Sequence, residues 1–255
     1  MSDLNLKDAL PALVKEGTKY PGKLETFLPD FALYGFVTDV REHATAVDIL
    51  ADSKVPRASF ANARAALESA VDSALLVSDE KQYLYRGAQA RIAELFEIHE
   101  LEKRAAPLDP PLPADAPARM HREDVVIADA KAWDEQAPGK GDLLKRAWEA
   151  FTKVPGAVRM HWSLLPKEQI YGIVFGGEEA KLLGGMADVI HALLSMASHP
   201  RMRVGSRDVE FAEDGGILLG TRETDPDMAR KIAALACIIA TSSLQRRRTF
   251  TVELT

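Results

Sequence analysis

From Leu33 to Leu50 the chain places Leu33, Phe36, Val37, Val40, Ala44, Val47 and Leu50 at three- and four-residue intervals. That spacing lays apolar side chains along one face of an α-helix. The same period recurs through most of the sequence and constrains the fold more than any other feature. Amphipathic helices must bury their stripes against one another, so the expected fold is mainly α, a helical bundle. Asp30 reads as the N-cap that opens this long helix. Residues 2–15 read as a short amphipathic helix, in which Pro11 is tolerated only near an end or a kink. Gly17 to Pro29 reads as a loop, and Pro56 breaks the chain. Helices are expected next at about 59–77 and 80–104, forming an antiparallel hairpin across Ser78-Asp79.

A composition shift follows. Ala105–Ala118 (AAPLDPPLPADAPA) carries Pro107, Pro110, Pro111, Pro113 and Pro117, a content that favours extended backbone without internal hydrogen bonds. Two organisations fit. Residues 1–255 form a single helical domain with a proline-rich crossover at 105–118, which is the preferred reading. Alternatively the chain splits into an N-terminal helical part, 1–104, and a C-terminal α+β part, 119–255. Helices resume at about 122–136 and 141–153, and 154–166 reads as irregular. A short helix at 166–174 precedes a strongly periodic one at 177–197, which Pro200 ends. Residues 207–212 alternate, Asp214-Gly215-Gly216 is a turn signal, and Ile217-Leu218-Leu219 follows, which reads as a hairpin. The last helix, 226–246, begins behind Asp225-Pro226. The tail 249–254 alternates again. The bundle is therefore expected to carry a small C-terminal β-hairpin or three-stranded sheet.

Composition bounds the function. The 255 residues are 47% hydrophobic and 27% charged, close to a globular average. A net charge of −6 argues against binding nucleic acid through bulk charge, although a local basic patch stays open. No apolar run is long enough to span a membrane, and the start, MSDLNLKDAL, lacks the pattern of a secretory signal. A soluble, cytoplasmic protein is expected. The single cysteine, Cys237, leaves no internal disulfide, disulfide-linked partner or cysteine-based zinc cage to consider. No cofactor is expected.

Several polar residues stand where apolar ones would be expected. Arg64 falls on the stripe of Phe60, Leu67, Val71 and Leu75, with Glu68 one turn away. An inward guanidinium needs a carboxylate, and Glu68 supplies one at four-residue spacing. The alternatives are a buried ion pair that fixes packing or a polar pocket in the bundle. Arg91 interrupts the stripe of Leu84, Ala88, Leu95 and Ile98, with His99 at its edge and Glu94, Glu97, Glu100 and Glu102 around it. Bundle metal sites use Glu-x-x-His pairs, and the sequence has none, so no metal is expected. In the 177–197 helix, at about 100° per residue, Asp188, His191 and Ser195 fall within about 60° of one another, and His199 joins them one turn later. This stripe faces solvent or lines a cleft shared with another helix. His161-Trp162-Ser163 sits in the irregular segment before Pro166, where Trp162 would plug into the bundle. His161, Ser195 and His199 are the candidate catalytic side chains, with no assigned reaction. Arg64, Glu68, Arg91, Asp188 and His191 are the candidate binding residues. Arg246-Arg247-Arg248 complements a helix C-terminus and is also suited to touch phosphate.

Taken together, Arg64-Ala-Ala-Leu-Glu68, Arg86, Arg91, His161-Trp162-Ser163 and Ser195-x-x-x-His199-Pro200 resemble a family of mainly helical bacterial proteins. That family is related to abortive-infection proteins and looks like the HEPN superfamily, many of whose members act in toxin–antitoxin and phage-defence systems. The resemblance spans roughly 40–245. It implies a defence-associated protein that binds RNA or a protein partner through a polar intra-bundle cleft. HEPN ribonucleases carry an Arg followed by four to six residues and a His. Here Arg91 and His99 are separated by seven residues and Arg41 and His43 by one, so ribonuclease chemistry is not carried over.

The expectation is thus a binding protein, and a homodimer, whose polar residues converge in one cleft. Two alternatives stand beside it: a small-molecule hydrolytic or metal-dependent enzyme using His and carboxylates, and a structural or scaffolding subunit.

Overall fold

A computed structural model describes residues 4–19, 28–53, 56–105, 122–136, 138–154, 161–175, 209–211, 217–219 and 226–250. The architecture is a mainly α-helical bundle. Among the described residues the helices are α1 (Leu6–Gly17), α2 (Leu28–Ala51), α3 (Pro56–Leu76), α4 (Glu80–Ala105), α5 (Arg122–Gln136), α6 (Gly141–Lys153), α7 (Lys167–Val174) and α8 (Pro226–Arg248). None of them is long and apolar enough to cross a membrane. The chain groups into two compact units. One comprises Met1–Tyr20, Phe36–Ala74 and Phe175–Gln245, the other Pro21–Gly35, Leu75–Val174 and Arg246–Thr255. Both flanks of the proline-rich stretch, 75–105 and 122–174, belong to the second unit.

In the first unit, Asn5 caps α1. Its Oδ1 accepts the Lys7 amide at 3.0 Å and its Nδ2 donates to Asp8 at 2.8 Å. The helix therefore begins later than its spacing suggests, and Pro11 lies inside it rather than at an end. α2 buries Val37, Val40, Ala44 and Val47, and Leu33 in the part that belongs to the second unit, all on the stripe expected from its spacing. Phe36 and Leu50 of that stripe are half-buried, and Ala51 is buried in addition. Pro56 and Pro226 occupy the first positions of α3 and α8, where a missing N–H costs nothing. The buried hydroxyls of Ser73 on α3 and Ser243 on α8 lie 3.1 Å apart, and each also meets a carbonyl of its own helix, Ala70 at 2.7 Å and Ile239 at 2.9 Å, so both are satisfied. Near the start of α8, Arg230 reaches Asp52 at 2.8 Å, with Asp227 at 3.7 Å and Asp48 at 3.9 Å. This fastens the end of α2 to the start of α8. Cys237 is fully buried, and burial pushes its thiol up to about 12, so at neutral pH it is a core residue and not a nucleophile.

In the second unit, α4 and α5 both pack on α6. α4 buries Tyr83, Ala88, Ile92, Leu95 and Phe96. Ala88 and Leu95 lie on the stripe expected from the sequence, Leu84 is half-buried, and Tyr83, Ile92 and Phe96 widen the buried face beside them. Phe96 meets Trp148 at 5.3 Å and Phe151 at 5.7 Å between ring centroids, spacings that favour tilted aromatic contact. α5 and α6 are joined through Gly139, at φ +80°. The Gly141 amide, at the start of α6, donates to Asp134 of α5 at 2.7 Å.

Two three-residue segments, β1 (Val209–Phe211) and β2 (Ile217–Leu219), pair antiparallel with Val209 opposite Leu219 and Phe211 opposite Ile217. Most of the expected third strand lies outside the described residues. Thr249 and Phe250 continue α8 as a turn bonded back to Arg246 and Arg247, and 251–255 lie outside the described residues.

Candidate functional site

The arginines expected on apolar faces have different surroundings. Arg64 Nε donates to Glu68 Oε1 at 2.9 Å, the local four-residue pairing expected from the sequence. The guanidinium is half-buried and the carboxylate is exposed. Arg91 donates from Nε to Asp129 at 2.9 Å and from Nη1 to Glu94 at 2.8 Å. Asp129 lies on α5, so this arginine ties α4 to its neighbour. Burial acts to lower the Arg91 pKa, but the hydrogen bonds and charges of Glu94 and Asp129 outweigh it and hold the guanidinium above its usual range. Arg64 belongs to the first unit, and Arg91 and His161 to the second.

His161, Trp162 and Ser163 form a turn closed by the Leu164 amide donating to the His161 carbonyl at 2.8 Å. The Ser163 amide donates to His161 Nδ1 at 3.2 Å, and the Ser163 hydroxyl lies 2.7 Å from the same nitrogen. Nδ1 is therefore the acceptor, which places the ring proton on Nε2. The Ser163 oxygen also accepts the Leu165 amide at 3.3 Å, and its carbonyl accepts from Gln89 at 3.3 Å. This network holds Leu164 at φ 58°, a conformation that costs a branched residue about 1–2 kcal/mol. Ser163 is buried and saturated, so the His161–Ser163 pair braces a turn and does not present a nucleophile. Asp188, His191, Ser195 and His199 lie outside the described residues, as does the side chain of His99. Among the described residues no three His, Cys, Asp or Glu side chains gather as a metal cage.

Two constellations that the sequence does not announce lie in the second unit. Asp30 is not a cap. α2 begins at Leu28, and the Asp30 carboxylate accepts Arg247 Nε at 2.6 Å and Nη2 at 3.0 Å. Tyr83 donates to the same carboxylate at 2.5 Å. The Arg247 guanidinium lies 4.9 Å from the Tyr83 ring centre and 5.8 Å from that of Phe250. This is a two-pronged, mostly buried ion pair roofed by aromatic rings.

The second constellation surrounds the end of α3. Arg86 Nη1 donates to the Leu75 carbonyl at 2.6 Å and to the Ser78 hydroxyl. Arg246 Nη2 donates to the Ser78 carbonyl at 2.6 Å. Both arginines complement the negative end of the helix. Among the described residues, neither forms an ion pair with a carboxylate. Burial lowers the Arg86 pKa. Asp79 opposes this through space, and the charge of Arg246 reinforces it. Arg86 and Arg91 are both half-buried on α4, yet their surroundings shift them in opposite directions, because only Arg91 has carboxylates to bond. No family model matches the sequence, and neither the curated proteins nor the solved structures contain a significant match.

Proposed function

We propose that the protein is a HEPN-like helical binding protein, of the kind found in phage-defence systems, and that its partner is RNA. The observation that supports this reading is the environment of Arg86, one of the residues that carry the family resemblance. Half-buried charges are ordinarily matched by a carboxylate. Among the described residues Arg86 donates only to neutral oxygens and feels Asp79 through space without a bond to it, so no bonded carboxylate closes it to an anionic ligand. The overall charge of −6 disfavours binding through a broad basic surface, which leaves recognition to a local site. In this reading Arg64 and Arg91, each neutralised by carboxylates, hold shape. The expected homodimer belongs to the same proposal.

Fluorescence anisotropy with a labelled single-stranded RNA tests the reading. The wild-type chain is expected to bind with an affinity that falls as salt rises, the mark of phosphate contacts. Arg86→Gln is expected to weaken binding about tenfold, the loss of one charge-assisted contact. RNA affinity unchanged by Arg86→Gln in a folded variant would remove the support for this reading.

A further inference from the structure

We propose that Arg86 and Arg246 form a two-guanidinium clamp for one tetrahedral oxyanion of the phosphate class at the C-terminal end of α3. The proposal rests on the reading of Arg86 as an available cation and adds a second residue and a ligand chemistry. Ser78 is the common anchor, holding Arg86 through its hydroxyl and Arg246 through its carbonyl. Two side chains from distant parts of the sequence are thus brought to one residue. Each keeps donors to spare. A guanidinium carries five N–H groups. Among the described residues, Arg86 commits only those on Nη1, and Arg246 commits one on Nη2.

Electrostatics favours an anion here. Arg246 acts through space to disfavour the charged form of Arg86, and an oxyanion held by both arginines would add an attraction to each. Asp79 attracts Arg86 through space more strongly than Arg246 repels it. Its Oδ1 accepts the Lys81 amide at 2.9 Å, so it caps α4 and does not bridge the two arginines. Arg86 is half-buried, which shields its contacts from water more than a surface lysine's would be. The neighbouring Arg247 differs, because its fork is filled by Asp30. Within the run Arg246-Arg247-Arg248, one residue is therefore a structural tie and the one before it is a ligand arm.

Isothermal titration of the full chain with inorganic phosphate, against chloride at matched ionic strength, tests the clamp. Saturable one-to-one binding is expected. Arg246→Gln, at an exposed position, is expected to weaken it about tenfold, as is Arg86→Gln. Arg146→Gln, which removes a cation stacked on Tyr85, is expected to leave it unchanged. Arg86→Lys keeps the charge and guards against reading an unfolded variant as a binding defect. The absence of phosphate binding beyond the chloride control, or equal loss in the Arg146 variant, overturns the clamp. If phosphate binds as described and single-stranded RNA does not, the clamp stands and the RNA reading falls. If phosphate binding weakens in Arg86→Gln and Arg246→Gln while RNA binds equally well to the wild type and both variants, the clamp stands and the RNA reading loses its support.

Discussion

Replacing Arg247 by methionine is expected to destabilise the protein by about 3 kcal/mol, at the lower end of the cost of breaking a buried ion pair. The side chains of Arg247 and Asp30 are 15% and 13% exposed, so the pair is largely removed from water. Methionine replaces the stem of the arginine but supplies neither of its two hydrogen bonds. Asp30 would lose the guanidinium while keeping the Tyr83 hydroxyl, at a position that solvent scarcely reaches. The guanidinium over the Tyr83 and Phe250 rings would also be lost, a smaller effect of about 0.5–1 kcal/mol. The double variant Asp30→Asn/Arg247→Met is expected to recover much of the loss. It removes the stranded charge while Asn still accepts from Tyr83. Urea unfolding, read as a change in midpoint at constant slope, measures both. A loss below about 1 kcal/mol, the scale of an exposed ion pair, would show that this pair does not hold the unit together.

Replacing Gly87 by alanine is expected to destabilise by about 2 kcal/mol, the typical cost of overpacking. In an open helix the same change would stabilise, because glycine costs about 1 kcal/mol relative to alanine in a helix interior. Here a methyl group at position 87 would stand 2.6 Å from both Cα and Cβ of Pro29 and 3.0 Å from its Cγ. The obstacle is backbone and a closed ring, neither of which can swing aside, so α4 and the start of α2 would have to separate. Gly35 is the internal comparison. It lies in α2 with nothing within 4 Å of the added carbon, and Gly35→Ala is expected to stabilise by about 0.5–1 kcal/mol. Thermal unfolding of the two variants should move in opposite directions. A stabilising Gly87→Ala would mean that the close approach to Pro29 is absent in solution.

What could be read in the sequence was local. The stripe of α2, the extents of α5 and α6, the proline start of α8, and the Arg64–Glu68 pair all depend on residues within a turn or two of one another, whereas Pro56, which reads as a break before a helix from about 59, opens α3 itself. What escaped depends on distant partners. Asp30 has the composition and position of an N-cap, and only the approach of Tyr83 and Arg247, 53 and 217 residues away, makes it an ion-pair partner. Arg91 was flagged on spacing, but its second carboxylate, Asp129, is 38 residues distant. On α4 the expected stripe contains the buried Ala88 and Leu95 but not Tyr83, Ile92 and Phe96, which widen the buried face beside it. In Arg246-Arg247-Arg248 the sequence shows three equal cations. The fold gives Arg246 and Arg247 different partners, a distinction no spacing rule contains.

The functional proposal turns on that inequality among arginines. It holds that Arg86 and Arg246 are open to an anion while Arg91 and Arg247 are closed by carboxylates. Arginine Nε–Hε resonances, followed by NMR as single-stranded RNA is added to the full chain, test it residue by residue. The expected result is that the Arg86 and Arg246 signals shift and saturate together, with those of Arg91 and Arg247 unmoved. Shifts confined to Arg91, Arg247 or exposed cations elsewhere, with Arg86 and Arg246 unchanged, would contradict it.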